Sequence, residues 1–312
     1  MPKVTKIRDN IKASVLKNVL SHAVLFEGEK GTGKMDTAIW LSKLLLCQNS
    51  NAPCLNCQIC QKIESGNHPD VTIVSPEGKK SIGIDDIRKI KEGLYLSPVE
   101  GKKKIYIIPE ADSLTIEAQN AFLKSLEEPP ENVHFVLLCE SKDFLLDTIQ
   151  SRTSIYTFDP MSIRECQEEL LKEFPERNPD ALKLASLAFA GSYGQALEMV
   201  EKGNENCLVE ISKIPLLLRK GMIYDAVTIA YGFSSDREEL RKFLEIFSNI
   251  LVKSAVEKTA GRECLLSVTP LEAVKSSELL DKARTRLLLN GPLDLIINWL
   301  FAELANVFGG KK

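Results

Sequence analysis

The stretch Ala23–Met35, AVLFEGEKGTGKM, constrains this chain more than any other. Ala23, Val24, Leu25 and Phe26 read as a buried strand. Gly28, Gly31, Gly33 and Lys34 then fit G-x-x-x-x-G-K, and Asp36 to Leu46 reads as a helix. Strand, glycine loop and helix in that order build a phosphate cradle. The glycines let successive N–H groups turn toward one anion, and the helix N-terminus adds its dipole. Lys34 would meet the terminal phosphates as a point charge. The next position departs from the pattern. A hydroxyl there normally ligates the magnesium ion that accompanies a nucleotide, and this chain has Met35. A thioether is a poor ligand for a hard cation that demands oxygen. The spacing therefore predicts a loop that keeps its phosphate-binding shape without productive binding of Mg–ATP; the bland alternative is a glycine turn with no ligand.

Further strands are expected at 71–74, 105–108, 133–138 and 155–158, each a short apolar run. Helices are expected between them: 6–20, 84–95, 114–127 and 144–152. In the first, Ile7, Ile11, Val15, Val19 and Leu20 share one face. Strands alternating with helices predict a parallel α/β sheet over 1–160. The strand Ile105–Ile108 runs into Pro109-Glu110-Ala111-Asp112. In nucleotide-hydrolysing relatives of this architecture a carboxylate at such a strand end holds magnesium through water. Here Pro109 takes the first such position, Glu110 would have no metal to work against, and Asp112 reads as the cap of helix 114–127. His22 and His134 read as structural, and Lys102-Lys103-Lys104 as a solvated loop.

Cys47, Cys54, Cys57 and Cys60 interrupt this alternation with the spacing C-x6-C-x2-C-x2-C, in an insertion of about 47–66. Four thiolates close a tetrahedral shell with no open position, which predicts structural zinc. Free thiols on a polar loop are the alternative, as is an iron–sulfur cluster. The latter would want a further cysteine three residues on, followed by proline, where Ile63 stands. His68 is not needed to fill the shell. Cys139, Cys166, Cys207 and Cys264 are scattered.

After Pro160 no strand is expected. Segments 162–172, 179–189 and 193–202 read as short helices, and 205–308 as an all-helical stretch with long segments near 236–258 and 276–308. Apolar faces such as Leu240, Phe243, Leu244, Phe247 and Leu251, or Leu295, Ile296, Trp299 and Leu300, would pack a bundle or meet a partner. The tail Gly309-Gly310-Lys311-Lys312 reads as disordered. The net charge of −3 supplies no bulk basic field for nucleic acid. No apolar run spans a membrane and no signal-peptide pattern opens the chain, so a cytoplasmic protein is expected.

Four stretches together carry a resemblance: Ser21–Gly28, the cysteine insertion ending in His68-Pro69-Asp70, Ala118–Pro130 (AQNAFLKSLEEPP), and Thr148-Ile149-Gln150-Ser151-Arg152. On these the chain resembles the delta-prime family of bacterial clamp-loader subunits, AAA+ proteins of DNA polymerase III. The resemblance implies an α/β AAA+ domain with a zinc insertion over 1–160, a helical lid over 161–204 and a helical collar over 205–312. It implies that Ser151 and Arg152 match a Ser-Arg-Cys motif, with Thr153 in place of Cys. The arginine would then act in trans on a neighbour's ATP, an effect worth about 10³–10⁵ in rate. Without the motif, Arg152 reads as a surface residue capping a short helix. The implied partners are gamma/tau-type motor subunits and a delta-type subunit, met through the C-terminal helices, with the sliding clamp and primed DNA reached through the complex. The family's motor subunits have Ser or Thr at Met35, Asp at Pro109, and an arginine in the lid where Gly191-Ser192-Tyr193-Gly194 has glycine. Three losses in one site predict a subunit that does not hydrolyse ATP itself. An ATP-hydrolysing motor subunit and a zinc-dependent nucleic-acid-binding module are the rival readings.

Overall fold

The computed structural model describes residues 2–76, 81–261 and 266–309. Cys264 and the tail residues Gly310, Lys311 and Lys312 lie outside them. The chain divides into two compact units, Met1–Pro160 and Met161–Lys312.

In the first unit the order is α1 (Pro2–Leu16), β1 (Ala23–Glu27), α2 (Lys34–Leu46), α3 (Gln58–Glu64), β2 (Val71–Ile73), α4 (Ile84–Leu94), β3 (Lys104–Ile108), α5 (Ile116–Glu127), β4 (Val133–Cys139), α6 (Asp147–Gln150) and β5 (Ser154–Thr157). The strands form one sheet in the order β2-β3-β4-β1-β5, and every pairing is parallel. Parallel strands need helical crossovers, which cover both faces, so the inner strands are apolar throughout rather than alternating. Burial of β4 at every position follows from this. The two-residue period then divides the core. Leu25, Tyr106, Ile108, Phe135 and Leu137 face one side, with Ile87, Phe122 and Leu126 from the helices. Val24, Phe26, Ile105, Ile107, Val136 and Leu138 face the other, with Leu41, Leu44 and Phe158.

The strands fall where the apolar runs predict them. Three helices differ. The first ends at Leu16, because Asn18 turns into the left-handed region at φ 53°, and Val19 is exposed. Helix α5 begins at Ile116, capped by Thr115, whose hydroxyl accepts the Ala118 N–H at 3.2 Å. Asp112 is not that cap. The stretch 144–152 resolves into a single turn at Lys142–Phe144 and the short α6. Lys103 and Lys104 are half-buried rather than solvated: Lys104 Nζ donates to Gly93 O at 2.8 Å, and Lys103 Nζ lies 3.1 Å from His134 Nε2.

The second unit is helical throughout its described residues: α7 (Ile163–Glu173), α8 (Pro179–Ala188), α9 (Tyr193–Glu201), α10 (Asn206–Arg219), α11 (Ile223–Tyr231), α12 (Arg237–Thr259), α13 (Pro270–Leu288) and α14 (Leu293–Phe308). Local chemistry fixes the starts. Ser162 and Thr269 form capping boxes with Glu165 and Glu272, and Asn178 and Asp236 cap α8 and α12. Helix α8 is surrounded by α7, α9, α10 and α12. Arg219 joins α10 to α13 through Glu272 at 2.9 Å. No helix among the described residues is long and apolar enough to cross a membrane.

Candidate functional site

The glycine loop leaves β1 at the carboxyl edge of the sheet, where ligands of open parallel sheets bind. Gly28 is wedged there. Its N–H donates to Cys139 O at 3.1 Å, and the neighbouring Phe158 N–H donates to Glu27 O at 2.7 Å. A Cβ at Gly28 would stand 2.2 Å from Phe158 O, and its φ is 151°. Gly31 and Gly33 turn the loop at φ 76° and 87°, and Gly33 is the cap position of α2. All three glycines thus hold positive φ values that side-chain-bearing residues rarely adopt.

Lys34 is directed into its own loop. Its Nζ donates to Gly28 O and, at 2.8 Å, to Glu29 O. Burial lowers its pKa against the opposing pull of Glu140, Cys139 and Asp112. Thr32 adds a hydroxyl bond to Glu29 O at 2.8 Å. Met35 packs against the apolar cluster that contains Phe26, Leu41 and Phe158. Half-buried there, Met35 offers no oxygen to a cation at this position. The carboxylates at the strand ends tie loops together. Asp112 accepts the Glu140 N–H at 2.9 Å, Glu27 accepts the Lys142 N–H at 3.1 Å, and Glu140 lies 3.6 Å from Lys30. Pro109 is half-buried and Glu110 exposed.

The four cysteines come together at the end of α2 and the start of α3. Cys47 caps α2, Cys57 caps α3, and Cys60 lies buried in the first turn of α3. Their sulfurs lie within 4.8 Å of one another, with Cys47–Cys54 at 3.6 Å and Cys47–Cys57 at 4.0 Å. Tetrahedral zinc with Zn–S near 2.3 Å separates its sulfurs by about 3.8 Å, so the donor set fits that ion. Among the described residues this is the one grouping of three or more such donors able to hold a metal. Backbone N–H from Asn56 pulls the Cys54 thiol down to about 6, whereas burial pushes Cys60 up to about 12. Ile63, where an iron–sulfur pattern would continue, is buried in the core. His68 is buried, and its Nδ1 accepts the Asp70 N–H at 3.2 Å. Asp70 in turn accepts the N–H groups of Val99, Glu100 and Gly101 at 2.6, 2.9 and 2.7 Å. Burial would raise this carboxyl, but those bonds outweigh it and hold it below its ordinary range.

Arg152 follows α6. Its Nη1 donates to Thr148 O at 3.0 Å and to Ser151 Oγ at 3.2 Å, the helix-capping contacts its position suggests. Its Nη2 lies 2.7 Å from Glu127 Oε1. Gln119 sets the approach to α6: its amide donates to Leu114 O and Phe144 O, both at 3.1 Å, and its carbonyl accepts the Leu146 N–H at 2.8 Å. Sequence pattern assigns no role to Glu127 or Gln119. Both lie within AQNAFLKSLEEPP, a stretch that carries the resemblance as a whole. In the second unit, Ser192 is the cap position of α9, and Gly194 stands in its first turn. His22 Nε2 donates to Leu126 O at 2.8 Å, in keeping with a structural role.

The family described as DNA polymerase III, delta subunit, matches residues 4–162. A DNA polymerase III delta-prime subunit of Bacillus subtilis is 43% identical over 173 residues, covering 55% of this chain and 51% of that protein. The DNA polymerase III tau subunit of Escherichia coli is 33% identical over 189 residues, covering 59% of this chain and 29% of that one. The chain thus spans about half, or less, of these relatives' length. A DNA polymerase III gamma subunit-related protein of Thermotoga maritima shares the fold: the TM-score is 0.58 at 21% identity, over 96% of this chain and 99% of that one.

Proposed function

Because the chain belongs to the family described as DNA polymerase III, delta subunit, we propose that it is a clamp-loader subunit that does not hydrolyse ATP itself. It offers Arg152 across a subunit boundary to ATP held by a neighbouring gamma/tau-type subunit. A guanidinium so placed counters charge on the transferred phosphoryl group. The observation that carries this reading is the arrangement at Met35. Gly28, Gly31 and Gly33 hold positive φ, while Met35, at the position where a hydroxyl would ligate magnesium, is half-buried against the Phe26–Phe158 cluster. Pro109 and Gly194 point the same way, since neither can supply a carboxylate or a guanidinium.

In this reading zinc at Cys47, Cys54, Cys57 and Cys60 is structural. When bound it supplies a rigid cross-link between the end of α2 and the start of α3. Residues 161–204 act as lid and 205–312 as collar. The collar helices join motor and delta-type subunits in the cytoplasm, and loading of the sliding clamp onto primed DNA is the work of the assembly.

The test is ATP turnover, measured on the purified chain and on the reconstituted complex. The chain alone is expected to show none. Arg152→Ala is expected to lower turnover by the complex at least about tenfold without loss of assembly. Hydrolysis by the chain alone, lost in Lys34→Ala, would establish the motor reading instead. Salt-sensitive DNA binding by the isolated chain, abolished by chelation, would establish the nucleic-acid module.

A further inference from the structure

We propose that Glu127 is a latch for Arg152: it holds the guanidinium against its own chain until a neighbour's phosphates draw it away. This inference rests on Arg152 acting in trans.

Glu127 is the last residue of α5, where the partial negative charge of the helix end disfavours a carboxylate. Glu128 follows it, which adds to the negative field. Arg152 meets this at 2.7 Å with Nη2, while Nη1 serves the α6 carbonyl of Thr148 and the Ser151 hydroxyl. The guanidinium is therefore neutralised and folded back, rather than extended with its charge free. The backbone beneath it is held firmly. Gln119 fixes Leu114, Phe144 and Leu146, and Gln150 Nε2 donates to Lys142 O at 3.0 Å and Leu145 O at 2.9 Å. Release can thus be confined to the side chain. The two side chains keep 35% and 48% of their surface in water, so the pair is screened and weak enough to exchange. A triphosphate carries several negative charges and accepts a forked guanidinium well, so it outcompetes one half-exposed carboxylate.

A latch taxes affinity for the partner and leaves the saturated rate alone. The experiment uses the complete reconstituted complex with ATP as probe. Glu127→Gln keeps the shape of the side chain and removes its charge. It is expected to lower the KM for ATP about two- to fivefold, the range of an exposed ion pair, with kcat unchanged. The gain should shrink as salt rises, and Glu127→Gln should shift nothing in an Arg152→Ala background. An unchanged KM in Glu127→Gln, with turnover still lost in Arg152→Ala, would overturn the latch and leave the arginine's role standing. A fall in kcat in Glu127→Gln would also overturn it, since Glu127 would then orient the arginine instead. Normal turnover in Arg152→Ala would remove the premise and the latch together.

Discussion

Gly28 sits where the end of β1 passes the end of β5, and two independent features exclude a side chain there. Its φ of 151° strains any L residue, and a Cβ would meet backbone, Phe158 O, at 2.2 Å. Backbone cannot step aside as a side-chain tip can. Gly28→Ala is therefore expected to cost about 2–4 kcal/mol in urea unfolding, through displacement of the β5 end. His134 gives a second prediction at this scale. Burial first, and then Lys103, push its pKa down to about 4 from 6.5. The unfolded chain thus takes up a proton near pH 6.5 that the folded chain refuses until about pH 4. Stability contributed by the neutral imidazole is complete above pH 6.5 and is lost as pH falls through that window. The loss approaches about 3 kcal/mol at 1.36 kcal/mol per unit. Urea unfolding from pH 7 to pH 4.5 should show it, and His134→Gln should flatten the profile.

Among the elements, α3 depends most on chemistry outside its own sequence. It is seven residues long, starts just after Cys57 and buries only Cys60 and Ile63, so it is too short to stand as an isolated helix. Lys43–Glu64, exposed at its carboxylate, and Lys62–Glu100, about a third exposed at both ends, tie it down with ion pairs that water screens in part. On the proposed reading, metal at the four sulfurs would then be the main further constraint on residues 47–66. Chelation is expected to raise protease cleavage within 48–57 at least about tenfold while the sheet stays folded, because the cluster around Phe26 and Leu138 is built mostly from the strands, α1 and α2, with only Ile63 from α3 buried in it. Equal protection with and without chelator, read by mass spectrometry of the fragments, would contradict this. The same dependence explains why α3 is invisible to periodicity while the strands are plain. Runs such as Val133–Cys139 state their burial locally, and the glycine loop states its backbone locally. Asp112 does not: its partner is the N–H of Glu140, on the far side of β4. Nor does Arg152, whose partner Glu127 lies across Pro129-Pro130 and β4. Local pattern reads conformation; it does not read which distant donor a carboxylate will find.

At the scale of the whole molecule, the two units differ in how they can be divided. The sheet unit, Met1–Pro160, closes its own core on both faces. In the helical unit, α8 buries Ala181, Leu182, Leu184, Ala185, Leu187 and Ala188. Part of that cover comes from α7 and α9, and part from α10 and α12. Asn249 Nδ2 also donates to Ala188 O at 2.8 Å. A lid at 161–204 and a collar at 205–312 would therefore share packing through α8 whatever their separate roles. Each fully buried leucine is worth about 1.5–3 kcal/mol, so removing α10 and α12 strips more than a marginal domain can lose. Cutting the chain between residues 160 and 161 is expected to give two folded fragments, with 161–312 melting in one cooperative transition by circular dichroism. Fragment 161–204 alone is expected to be unfolded. If the C-terminal helices carry assembly, 161–312 should enter the clamp-loader complex while 1–160 stays out, folded but unattached. Entry of 1–160 alone as readily as the full chain, measured by co-purification with the motor subunits, would move the assembly surface to the sheet unit.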